Sequence, residues 1–174
     1  ALARLFGAAR ARERLRQTFL DHCLSELGDD PPAIVGLTTS FNQLMPSLWL
    51  GSALKKRWPG VRIVLGGSAC TGEMGAALAQ AYPFIDCIVS GNGERVILSL
   101  AREEMPWPTD RLLVDEAPVD LNQLPVSDYT AFVAEAERYG RTRENMMLAY
   151  ETSRGCWWGE KHHCTFCGIN GAQM

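Results

Sequence analysis

The sequence has no apolar run approaching the roughly 20 residues that a membrane span requires. Its apolar runs, such as the one from Val61 to Leu65, are short, and the N-terminus lacks the pattern of a signal peptide. A membrane partner is therefore not expected, and the compartment expected is the cytoplasm. There is also no basic run: 17 Lys and Arg stand against 20 Asp and Glu, for a net charge of −3. A nucleic-acid surface is excluded on that balance. With 47% hydrophobic residues in 174, the chain has apolar material for one ordinary core and a remainder, so extended disorder is excluded as well.

Cysteine is what the sequence does have. Six are present, and three of them, Cys156, Cys164 and Cys167, fall within "CWWGEKHHCTFCG", residues 156–168. In a reducing compartment such a cluster points to metal binding or catalysis rather than to disulfides. The other three are dispersed. Cys23 lies on a helical apolar face, Cys70 in a loop and Cys87 in a strand, each read as a small buried or half-buried residue.

The chain alternates between two hydrophobic periods. Leu15, Phe19, Cys23 and Leu27, with Leu20 and Leu24 beside them, mark an amphipathic helix over 10–27 that "LGDDPP" breaks. "AIVGLTTSF" (33–41), "VRIVLGG" (61–67) and "IDCIVSGNG" (85–93) read as strands. Between and after them, helical spacing recurs in Leu44, Leu48, Leu54 and Trp58, then in Met74, Leu78 and Ala81, then over 94–103. Apolar strands alternating with helices of this length predict a parallel sheet covered on both faces.

No strand precedes the first helix, although an open parallel sheet normally begins with one, and an absent N-terminal piece is expected. Residues 105–145, rich in Pro and Asp with one strand-like run, "RLLVDE", read as a linker. From Met146, "MMLAYETSRGC" is strand-like again and leads into the cysteines. The expected division is thus 1–104, 105–145 and 146–174, with the last segment opening a second domain.

Ligands of open parallel sheets sit at the carboxyl ends of the strands. Three small, polar, glycine-rich segments follow those ends: "TTSFNQ" (38–43), "GGSACTGEMG" (66–75) and "SGNGE" (90–94). Such loops let a ligand approach the backbone, and the helix N-termini behind them favour anionic groups. Thr39, Ser40, Asn42, Gln43, Gly66, Gly67, Ser68, Gly91, Gly93 and Glu94 are the candidate contacts. The dinucleotide fingerprint is not met, because "GNGERV" lacks its third glycine.

Cys164 and Cys167 form C-x2-C, a turn that presents two thiolates to one metal, and Cys156 lies seven residues earlier. Two sites suit three thiolates. One is a closed zinc site completed by His162 or His163, and the other an iron–sulfur cube with one iron left open. Spacing alone leaves both standing. The zinc alternative describes a non-catalytic α/β small-molecule-binding module with a structural zinc knuckle.

"YETSRGCWWGEKHHCTFCGINGAQM" resembles the cluster-binding opening of radical S-adenosylmethionine enzymes. Its C-x7-C-x2-C spacing is similar to that of the RiPP maturation radical SAM protein 1 family, which acts on ribosomally made peptides. The stretch from Val35 to Glu94 resembles that family's cobalamin-binding-type domain. The resemblance implies an open Rossmann-like sheet followed by the first strand and cluster loop of a radical SAM barrel. It implies a 4Fe-4S cluster on Cys156, Cys164 and Cys167, with S-adenosylmethionine chelated by the open iron and Phe166 against its adenine. Cobalamin would lie among the ten loop residues named above, and no catalytic side chain is assigned. The implied activity is a cobalamin-dependent peptide C-methyltransferase, with a precursor peptide as substrate and a flavodoxin or ferredoxin as electron donor. Trp157 and Trp158 would cover the cluster.

The sequence departs from the family in three respects. Asn92 stands where an acidic residue is expected. No D-x-H-x-x-G is present and His22 precedes the first strand, so no lower axial ligand is assigned to a bound cobalamin. The first strand and nearly all of the barrel are missing, so the chain is read as a fragment not expected to be active alone.

Overall fold

The computed structural model describes residues 2–156 together with 158, 161, 162 and 165. These fall into two compact units, one running to Ala117 and the other starting at Pro118. In the first unit helix α1 (Leu2–Glu26) precedes strand β1 (Ile34–Thr38) and helix α2 (Leu44–Arg57). Strand β2 (Arg62–Gly66), helix α3 (Glu73–Ala81), strand β3 (Cys87–Gly91), helix α4 (Glu94–Ala101) and strand β4 (Leu112–Asp115) follow. The sheet has the order β1-β2-β3-β4 and every pairing is parallel. The architecture is α/β and Rossmann-like, as expected, because β-α-β crossovers of this length place successive strands side by side.

Strand alternation sends side chains to two apolar layers. Ile63, Leu65 and Ile88 pack with Leu48, Leu54 and Leu78 of α2 and α3. Val64, Cys87 and Val89 pack with Val96 and Leu100 of α4 on the other face. Ile63, Leu65, Ile88 and Leu54 are essentially without solvent contact, and each such side chain stabilises the fold by about 1.5–3 kcal/mol.

Three details differ from the periodicity. In α1 the inward residues are Leu20 and, half-buried, Phe19, Cys23 and Leu24, whereas Leu15 is 72% exposed. The helix is as predicted but its buried stripe starts later, because α2 covers only its C-terminal half. In α3 the inward residues are Gly75, Leu78 and Ala79, and Met74 is exposed. Helix α4 ends at Ala101, short of the predicted 103.

The division of the chain also needs correction. Residues 105–117 belong to the first unit rather than to a linker. "RLLVDE" supplies β4, in register with Ile88 to Gly91, and Met105, Trp107 and Leu113 pack on the α4 face. A four-residue strand behind a Pro-rich turn carries little local signal, and neighbouring β3 supplies the ladder that makes it a strand.

The second unit holds helix α5 (Thr130–Arg138), within the stretch read as linker, and an irregular segment from Met146. The Tyr129 hydroxyl donates to the Ala149 carbonyl. The strand expected from Met146 has no ladder partner among the described residues, and Met147 is 93% exposed. No described helix is long and apolar enough to cross a membrane.

Candidate functional site

The three strand-end loops are held by small hydroxyl groups. Thr39 is fully buried: its amide and its hydroxyl both donate to the Gly66 carbonyl, at 2.8 and 2.9 Å, and its Oγ1 lies 3.4 Å from Cys70 Sγ. Ser47 donates to the Thr38 carbonyl at 2.7 Å. Ser90, also buried, accepts from the Gly72 amide at 2.9 Å. The loop after β1 is thereby tied to the end of β2, and the loop after β2 to β3.

Gly67 has φ +105°, and a Cβ there would fall 2.9 Å from the Thr39 amide nitrogen. Only glycine lets the two loops come this close.

Beside these ties the open sheet face forms a cleft of about 400 Å³. Its floor is read off the strands two residues at a time: Gly36 and Thr38 from β1, Val64 and Gly66 from β2, Val89 and Gly91 from β3. Gly67, Gly93 and the α4 residues Glu94 and Ile97 form its wall. A Cβ at Gly36 would touch nothing within 4 Å, and one at Gly66 would meet only Val89 at 3.9 Å. The glycines thus leave a shallow, flat-bottomed space that β-carbons would fill.

Of the ten candidate contacts, Gly66, Gly67, Gly91, Gly93 and Glu94 line this cleft and the other five do not. Thr39 is consumed in the packing beneath the loops. Ser40 and Gln43 bond to each other around the turn Phe41–Gln43, the Gln43 Oε1 accepting from the Ser40 amide at 3.1 Å. Asn42 is exposed on that turn, and Ser68 is exposed on the turn Ser68–Cys70. A strand end sets only which residues come near the edge, and the turn after it sets which way each faces. Gly36, Leu37, Thr38, Val64, Val89 and Ile97 were missed, although the period-2 alternation back from Gly66 and Gly91 places Val64 and Val89 on the same face, and the parallel register sets Gly36 and Thr38 beside Val64 and Gly66.

Asn92 is buried but is not among the lining residues. Its backbone amide donates to the Asp115 carbonyl at 2.6 Å and its side-chain amide to the Ala117 carbonyl at 2.8 Å. Arg95 forks onto Asp115, Nη2 to Oδ1 at 2.6 Å and Nε to Oδ2 at 3.2 Å. The Arg95 guanidinium beside it holds the Asp115 carboxyl below the ordinary aspartate range, against the opposing effect of burial.

Burial pushes the Cys70 thiol up, and it pushes Cys87 up to about 12, with Asp110 and Asp86 adding to the shift. Burial thus favours the neutral thiol at both positions. Cys156 is exposed and follows Gly155, which has φ +86°. The His162 amide donates to the Trp158 carbonyl at 2.7 Å, and the two rings lie 4.7 Å apart. Cys164, Phe166 and Cys167 lie outside the described residues, as do Trp157 and His163. Among the described residues no three His, Cys, Asp or Glu are grouped to hold a metal.

Searches against family models, curated proteins and solved structures each give no match.

Proposed function

We propose that the chain is part of a radical S-adenosylmethionine enzyme of ribosomal peptide maturation, and that it supports cobalamin-dependent methyl transfer to carbon in a precursor peptide. The observation that carries this reading is the C-x7-C-x2-C spacing of Cys156, Cys164 and Cys167, placed after a parallel α/β unit whose strand ends frame a glycine-floored cleft.

The residues present fit the groups implied. Three thiolates leave one iron of a cubane open to chelate the amino and carboxylate groups of S-adenosylmethionine. The cleft is of ligand size, and its glycine floor offers a flat surface to a planar group such as the base of cobalamin's nucleotide tail. No histidine lines it, so a cobalamin held there would receive no imidazole from these residues. When bound, the cluster and S-adenosylmethionine supply reductive cleavage of the sulfonium, and cobalamin supplies a methyl carrier. The chain's own part is to hold them: Gly36 and Gly66 by leaving room, Gly67 and Gly93 by close backbone approach, Glu94 as a polar group at the wall. Phe166 would stack on the adenine, Trp157 and Trp158 would keep water away, and a flavodoxin or ferredoxin would deliver the electron in a cytoplasmic setting.

Anaerobic reconstitution with iron and sulfide tests the reading directly. A brown protein with about four irons and four sulfides per chain is expected. A colourless protein holding about one zinc per chain would overturn it in favour of a structural zinc knuckle.

A further inference from the structure

The turn that lines the cleft is fastened from behind. Gly91, Gly93 and Glu94 face the cleft, while Asn92 and Arg95, interleaved with them, bond to the end of β4. Asn92 reaches both Asp115, through its backbone, and Ala117, through its side chain. Arg95 reaches the same two residues, its Nη2 lying 3.3 Å from the Ala117 carbonyl. Asp115 closes the loop by accepting from the Ala117 amide at 3.2 Å.

We infer that Asn92 is the positioning residue of the cleft, and that affinity there requires a hydrogen-bond donor at this position. The partner of its side chain is a backbone carbonyl, which can only accept. An aspartate of the same shape would set an acceptor against that carbonyl at a site 8% exposed, so the bond is lost and two acceptors face each other. The carboxyl of Asp115 is already satisfied by Arg95 and Ala117, so it offers no proton in compensation. Released from Ala117, the turn would lose its side-chain tie to the exit of β4, and the wall formed by Gly93 and Glu94 would move off the glycine floor. Asparagine where an acidic residue is expected by resemblance is thus a requirement of this chain's own β4 exit.

The inference rests on the cleft being the cofactor site proposed above, and the experiment separates the two. The 174-residue chain and its Asn92→Asp and Asn92→Gln variants are titrated with hydroxocobalamin, and amide exchange is followed at Asn92 and at Ile97, whose amide bonds to the Gly93 carbonyl. Asn92→Asp should weaken binding about tenfold and raise exchange at both amides by a similar factor, the scale of one buried hydrogen bond. Asn92→Gln, which keeps the donor, should recover most of both effects. Arg95→Met, at an exposed position, should shift both measurements the same way by about threefold. Parent-like exchange in Asn92→Asp overturns the latch, as does a Gln variant no better than Asp. Absence of hydroxocobalamin uptake by the parent overturns the cofactor reading alone, and the exchange comparison still decides the latch.

Discussion

Gly91 and Asp115 meet so closely across the β3–β4 pair that a β-carbon on Gly91 would lie 2.2 Å from the Asp115 carbonyl oxygen. Gly91 also has φ +96°, a region that side-chain-bearing residues rarely enter. Gly91→Ala should therefore destabilise the first unit by about 2 kcal/mol or more, from backbone strain and steric displacement together. Urea unfolding followed by circular dichroism measures it, and a variant as stable as the parent would show that β4 does not pack as described.

The opposite outcome is expected at Gly36. Its β-carbon would meet open space and β-branched residues suit strands, so Gly36→Val should leave stability within about 1 kcal/mol of the parent. It would nonetheless place a side chain on the cleft floor. Hydroxocobalamin retention should fall at least about tenfold, the scale of a lost ligand contact, and unchanged retention would move the ligand elsewhere.

Thr39→Val tests the packing beneath the loops. The hydroxyl's bond to Gly66 and its weaker contact with Cys70 Sγ are lost while the backbone amide keeps its own bond, so the cost should be about 1–2 kcal/mol. The change is measured as a shift in urea midpoint without a change in slope.

Asp115 makes stability pH-dependent in a defined direction. Its folded carboxyl titrates below its unfolded value because of Arg95, so the pair's contribution is present above the ordinary aspartate range and is lost as pH falls through the depressed folded value. Melting temperature should drop on acidification below about pH 4. Asp115→Asn should flatten that part of the profile, and an unaltered profile would assign acid lability to other carboxylates.

The proposed function predicts that alanine at Cys156, Cys164 or Cys167, each tested singly, abolishes S-adenosylmethionine cleavage by the full-length protein and lowers reconstituted iron sharply, since a cubane held by two thiolates is not retained. Full iron content in any one variant would remove that cysteine from the ligand set.

The sequence by itself determined the three principal strands, the helices between them, their parallel arrangement and the glycine-rich turns at the strand ends, because apolar period and glycine-rich turns are local signals. The cysteine spacing is equally local. Only the tertiary structure decided which residues at that edge face a common space. Thr39 reads as a loop contact yet is spent on Gly66 and Cys70, and Gly36 reads as an ordinary strand residue yet floors the cleft. "RLLVDE" becomes a strand through its ladder with β3, and Asn92 acquires its partner from a carbonyl twenty-five residues away. The physical reason is common to these cases: a backbone's local preference follows from its own residues, whereas the facing of a side chain and the pairing of a buried donor are set by whatever chain segment is folded against them.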